Sequence, residues 1–164
     1  LKGYSFVPGW SLSLDFVPHV TRTGRIAWHR SAKQHRADLG VDPLDYPDQY
    51  DVDRLVIPGM RSLAQFRAAA QRSAELTIEY AEEWFEPIRD LPGLVAAFER
   101  AEAAHSLRFG FDNYVQHRLA YAFVLAEAGE NERATAQLDR WCASLAANER
   151  LAADLHRLLG DTCA

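Results

Sequence analysis

Between Trp10 and Phe16 apolar and polar residues alternate without a break, with Trp10, Leu12, Leu14 and Phe16 on one side of an extended chain and Ser11, Ser13 and Asp15 on the other. That period of two predicts a half-buried strand. Pro18 has no N–H to give to a ladder, so it ends the strand or marks an edge. After a turn at Gly24 the alternation resumes in Arg25-Ile26-Ala27-Trp28-His29, placing Ile26 and Trp28 inward. Pairing Phe16 with Trp28, so that both inward sets share a face, sets Asp15 opposite His29, Val17 opposite Ala27 and His19 opposite Arg25. A lone hairpin is marginal in water, so a further strand is expected. Val52 to Ile57, closed by Pro58-Gly59, is the candidate.

Beyond residue 60 the apolar period lengthens to that of helices. Ser62-Leu63-Ala64-Gln65 has the form of a capping box and predicts a helix start. Leu63, Phe66, Ala70, Ala74, Ile78, Ala81 and Phe85 then recur every three or four residues, a stripe expected to face the sheet, with Arg67, Arg72, Glu75, Glu79 and Glu82 mostly away from it. Pro87 stops this helix. Asp90-Leu91-Pro92-Gly93 opens a second one to about His105, apolar at Leu94, Val95 and Phe98, and the linker that follows holds Phe109 and Phe111, read as core plugs. A third helix starts at Asp112 or Asn113 and runs to Gly129, and a fourth runs from Asn131 through Ala134, Leu138 and Trp141 to Leu145. The last spans Asn148 to Gly160, with Leu151, Leu155, Leu158 and Leu159 inward and His156 isolated on the surface.

Composition sharpens this division. Every Glu and 23 of the 26 Ala lie beyond residue 60, whereas five of the seven Pro lie before it. Ala and Glu favour helix, while Asp and Pro favour turns and breaks. The expected fold is α+β: a small antiparallel sheet, made of the N-terminal hairpin and at least one more strand, packed against a C-terminal set of 3–5 helices. We expect one domain over 1–164, with a sheet-and-loop part at 1–60 and a helical part at 61–164. The net charge of −5 comes entirely from the second part, because residues 1–60 balance seven Lys/Arg against seven Asp. No concentrated basic face exists, so no nucleic-acid partner is expected. There is no apolar run of about 18 residues and no signal-peptide core at the start, so a cytoplasmic protein without a membrane span is expected. Cys142 and Cys163 have neither zinc-ligand spacing nor disulfide-scaffold density. The chain begins without Met and almost at once in strand-like sequence, which leads us to expect residues upstream of Leu1.

Candidate chemistry is sparse. A carboxylate opposite an imidazole can orient it and favour its charged form, so Asp15 and His29, with His19, Arg30 and His35 close by in sequence, form the one polar cluster worth following. The competing reading is an ordinary solvated cross-strand pair. The aspartates at 38, 42, 45, 48, 51 and 53 lack the spacing, central Gly and closing Glu of a calcium loop. Glu79, Glu82, Glu83 and Glu86 lack the Glu-x-x-His partner of a di-iron bundle. No Gly-rich phosphate loop, G-x-S-x-G, H-E-x-x-H or C-x-x-C occurs. No metal or cofactor is expected, and Tyr46 and Tyr50 offer contact area to a protein instead.

From Tyr114 to about residue 147, Ala122 and Leu125, the turn Gly129-Glu130-Asn131, and Ala134 with Leu138 resemble a single tetratricopeptide unit. The first helix lacks the usual Trp and the second does not end in Pro. One unit cannot build a solenoid, so the resemblance implies a helical hairpin that packs on its own domain. Over about residues 3–100, a Trp-led hairpin, an Asp/Pro loop and a long helix carrying Trp84-Phe85 resemble bacterial α+β domains found among toxin-immunity proteins. The expected function is non-enzymatic protein–protein interaction of this immunity-like kind, with an acidic helical face or the Tyr/Asp loop meeting a basic partner. The alternative is a small hydrolase-like enzyme using Asp15 and His29.

Overall fold

The computed structural model describes residues 10–21, 23–28, 38–40, 62–103, 114–144 and 147–162. In chain order these form β1 (Ser11–Leu12), β2 (His19–Val20), β3 (Ile26–Ala27), β4 (Leu39–Gly40), α1 (Leu63–Phe85), a single 3₁₀ turn (Glu86–Ile88), α2 (Leu91–Ala103), α3 (Tyr114–Glu127), α4 (Asn131–Ser144) and α5 (Glu149–Thr162). The fold is α+β. The expected strand at Val52–Ile57 and the plugs Phe109 and Phe111 lie outside the described residues, as do Tyr46 and Tyr50.

α3 is the centre of the packing. From Leu119 to Ala126 no residue is more than 5% exposed. A helix apolar on every side has to be enclosed. α4 packs along it most extensively, and α2 and α5 flank it. The α3–α4 reversal is a Schellman turn: Gly129, at φ 76°, donates to the Ala126 carbonyl at 2.9 Å, and Glu130 donates to Leu125 at 2.8 Å. Ala122 and Ala134 are both fully buried, which lets the two helix axes approach. Leu138 and Trp141 of α4, Phe98 of α2 and Leu155 of α5 complete this core. Each such side chain contributes roughly 1.5–3 kcal/mol by leaving water. α5 starts where Asn148 accepts from the Leu151 N–H at 2.9 Å. His156 is not an isolated surface residue: it is half-buried, and its Nε2 meets Asp139 Oδ1 of α4 at 2.9 Å.

The N-terminal part differs from expectation in detail. The Trp10–Phe16 alternation is not one strand. Only Ser11–Leu12 is paired, antiparallel to Leu39–Gly40, and a turn follows in which Val17 donates to Leu14 at 3.1 Å. The strand stops because the Leu14 N–H is taken by the buried Asp38 carboxylate at 2.7 Å instead of a ladder partner. β2 and β3 form a separate hairpin in which His19 faces Ala27 and Val20 faces Ile26. The expected register, with His19 opposite Arg25, is therefore out by two residues. Turn chemistry explains the shift: Thr21 and Arg25 close the reversal (N–H to carbonyl, 2.8 Å), the Thr21 hydroxyl accepts from the Arg25 N–H at 3.1 Å, and Gly24 supplies φ 72°. A two-residue slip keeps each side chain on its own face. Leu14, Val17, Val20 and Leu39 accordingly reach the helical core, while Trp28 stays exposed.

α1 begins as its capping sequence predicts, with Ser62 Oγ accepting from the Gln65 N–H at 3.2 Å, and it ends before Pro87. Its apolar stripe does not face the sheet. Leu63, Phe66 and Ile78 are 64%, 42% and 58% exposed, and among the described residues α1 joins the core at its far end, through Trp84 and Phe85. Two-residue ladders offer too little surface to cover a helix of 23 residues.

The entry to α2 holds the tightest steric constraint. Asp90 caps the helix by accepting from the Gly93 N–H at 2.8 Å, and a Cβ at Gly93 would lie 1.8 Å from the Pro87 carbonyl oxygen. Gly93→Ala is expected to cost about 1–3 kcal/mol as the 3₁₀ turn is forced off the helix. Urea unfolding checks this: a variant as stable as the parent would show that the two segments are not in fixed contact.

Candidate functional site

Of the polar cluster marked by the sequence, Asp15 and His19 are described, and His29, Arg30 and His35 lie outside the described residues. Asp15 is exposed in the turn between β1 and β2, away from any ladder, so the proposed cross-strand facing of Asp15 does not arise from the β2–β3 hairpin. His19 is half-buried at the start of β2.

The structure assembles a different set of polar groups, between the N-terminal strands and α2–α3. Asp38 is buried; its backbone N–H donates to Leu12 at 2.9 Å while its carboxylate holds the Leu14 N–H. His117 of α3 hydrogen-bonds to the Asp38 backbone and stacks on Phe98, with ring centroids 4.8 Å apart. Tyr121, one turn further along α3, also stacks on Phe98, almost parallel at 5.7 Å. Arg118 and Glu102 approach to 3.4 Å, both half-buried. At the outer edge Arg133 of α4 donates to Glu99 of α2 at 2.6 Å, to the Tyr121 hydroxyl at 2.9 Å, and to Glu130. The segment at Asp38 and the helices α2, α3 and α4 are thus tied together by one layer of rings and polar groups.

Burial pushes the His117 pKa below its ordinary value of 6.5, outweighing the Glu102 charge and the Asp38 hydrogen bond, which raise it. Its Nε2 has no hydrogen-bond partner among the described residues. A neutral, enclosed imidazole whose contacts among the described residues are to the Asp38 backbone and the Phe98 ring fastens the N-terminal segment onto the helices. The half-buried Cys142 is unsuited to attack, since burial and then the Asp139 charge raise its thiol pKa. Among the described residues no three His, Cys, Asp or Glu side chains converge as metal ligands, and no helix is long and apolar enough to cross a membrane.

Two surfaces remain. A cleft of about 530 Å³ separates the β2–β3 turn from the start of α5, with Arg25, Arg150 and Asp154 in its walls. The other is α1, where the exposed apolar residues adjoin a graded charge: Arg67 and Arg72 in the first half, Glu75, Glu79, Glu82 and Glu83 in the second, with Glu86 just beyond its end. No family model matches the chain, and neither a curated protein nor a solved structure is similar to it.

His117 and Asp38 were missed in the sequence because neither has a motif. The available signal was a single His within the otherwise apolar face of a helix, which the burial of its neighbours turns into a core group.

The depressed His117 pKa gives stability a pH dependence. The unfolded chain takes up this proton first, at about pH 6.5, so the stabilisation is complete above that pH and declines as pH falls, by at most about 1.4 kcal/mol per unit, until the folded-state pKa is passed. His117→Phe keeps the ring stack and should remove this part of the slope. Unfolding free energies at pH 7.5 down to about 5.5 test it; identical slopes in parent and variant would refute a neutral buried imidazole.

Proposed function

We propose that this chain is a protein-binding domain that docks its partner along α1. The observation that carries the reading is the exposure of Leu63, Phe66 and Ile78 on a regular helix of 23 residues. Scattered apolar residues are ordinary on a surface, but three aligned on one helix, rimmed by charge, have the character of an interaction surface. Helix faces of this type dock by setting residues at spacings of three, four and seven against an apolar counterpart. The acidic second half of α1 complements basic side chains on what binds there, supplying orientation more than affinity. The arrangement that resembles toxin-immunity domains supports the same class of function, and the chemistry around His117 is accounted for by its fastening role without a reaction.

The triple substitution Leu63→Glu, Phe66→Glu, Ile78→Glu tests the reading. Exposed positions tolerate change within about 0.5 kcal/mol each, so the variant should unfold near the parent temperature while losing the cross-linked complexes that the parent forms in cell extract. A collapse in thermal stability would show instead that this stripe belongs to the core. Complexes retained at parent levels would place any interface elsewhere.

A further inference from the structure

We propose that the cleft between the β2–β3 turn and the start of α5 binds a small organic phosphate, its phosphate dianion held between Arg25 and Arg150 and its organic body lying against Ile26 and Leu151. The cleft has a volume of about 530 Å³, with Arg25 and Ile26 on one side and Asn148, Arg150, Leu151 and Asp154 on the other. Small-molecule sites usually occupy about 300–1,000 Å³. There is room for more than a bare phosphate.

The first ground is unanswered charge. Arg25 and Arg150 come from separate elements to border one cleft, and neither makes an ion pair among the described residues. Asp154 borders the cleft too, but its carboxylate lies 3.8 Å from the Arg157 guanidinium, so its charge is shared and the two arginines remain in excess. The acidic Glu149 is not among the lining residues. Two like charges around one concave space focus a positive potential there, on a chain whose net charge is −5. A phosphate monoester, dianionic above a second pKa of about 6, relieves it best. Its terminal oxygens accept from both planar guanidinium groups, whereas a single carboxylate offers one charge and two oxygens.

The second ground is that both arginines stand on fixed backbone beside apolar side chains. The Arg25 N–H donates to the Thr21 hydroxyl at 3.1 Å and its carbonyl accepts from the Thr21 N–H at 2.8 Å, which closes the turn around it. Arg150 sits in the first turn of α5, which Leu151 anchors in the core and Asn148 caps by accepting from the Leu151 N–H at 2.9 Å. The amide nitrogen of Asn148 has no partner among the described residues and adds a neutral donor to the cleft wall. Little ordering is then left for a ligand to impose. The half-buried Ile26 and the edge of Leu151 give its organic body a surface to cover. A ligand spanning Arg25 and Arg150 also joins the β2–β3 hairpin to the last helix, so its binding should raise the unfolding temperature.

Titration of phenyl phosphate into the whole chain, at about pH 7.5 and about 0.15 M salt, tests the site through amide NMR shifts. Saturable shifts are expected at Gly24, Ile26 and Leu151, with a Kd of about 1 mM or tighter. Inorganic phosphate should bind about three-fold more weakly for want of an organic body, and benzoate, with one charge, about ten-fold more weakly. Arg25→Gln and Arg150→Gln should each weaken phenyl phosphate about ten-fold, Asp154→Asn should tighten it about two-fold, and Arg89→Gln, away from the cleft, should leave it unchanged. The two cleft arginines are exposed, so their variants should unfold near the parent temperature. No saturable shift in the parent, benzoate binding as tightly as phenyl phosphate, unchanged affinity in either cleft-arginine variant, or weaker binding by Asp154→Asn would each overturn the proposal. Inorganic phosphate binding as tightly as phenyl phosphate would overturn the role given to Ile26 and Leu151. The ligand series on the parent alone decides between these outcomes should a variant fail to fold.

Discussion

The enclosure of α3 on all sides is the constraint from which the rest of the structure follows. Eight consecutive residues, Leu119 to Ala126, are withdrawn from water, so the helix can exist only where neighbours cover every direction at once. Its own hydrogen bonds satisfy its backbone, which is why a helix and not a loop can occupy this position. α4 covers one side through the Ala122–Ala134 approach, α2 and α5 two others, and Leu14, Val17, Val20 and Leu39 of the N-terminal segments contribute to the same core. The short ladders are a consequence: the N-terminal segment is shaped by what it covers more than by its own pairing.

Polar groups in such an interior must be satisfied in place. Asp38 shows how this redirects the chain. Its carboxylate takes the N–H of Leu14, which ends β1 and turns Leu14 and Val17 toward the helices. His117 then joins the Asp38 backbone to the Phe98 and Tyr121 rings, so that one histidine links the N-terminal strands to α2 and α3. Arg133 performs a related task at the exposed rim, where its ion pairs are worth little individually and the hydroxyl of Tyr121 fixes their geometry.

Local signals were legible in the sequence wherever one residue decides the outcome. Ser62 caps the helix it was expected to cap, Asp90 and Asn148 stand where helix starts were expected and act there as caps, Pro87 stops α1, and Gly129 ends α3. These depend on chemistry within a turn of chain. What depended on distant segments was not legible. The alternation from Trp10 to Phe16 is a sound strand signal, but it contains no mark of the carboxylate 24 residues away that interrupts it. The hairpin register followed the inward residues and overlooked the threonine pair at positions 21 and 23, whose hydroxyls meet at 3.0 Å and shift the turn. The stripe of α1 was read correctly as a stripe. Its destination was not, since periodicity shows that a face seeks cover and not which surface supplies it. Of the candidate site, the acidic run on that helix was visible as composition, whereas Asp38 and His117 acquire meaning only when strands and helices meet.

That leaves the contrast between α3, covered completely, and α1, covered chiefly at one end. Helices in isolation are marginal, and proteins hold them by packing one face. α1 keeps its Leu, Phe and Ile outward while only Ala69 among its described side chains is buried. Covering a residue of that size yields roughly 1.5–3 kcal/mol, and the gain is retained best when the segment is already ordered before it associates. The Ser62 cap and the alanines of the first half provide that order. A helix that is preformed, apolar along one side and charged against its own dipole gives little support to its own core, and under the docking role proposed for it the exposed face is what a partner would meet.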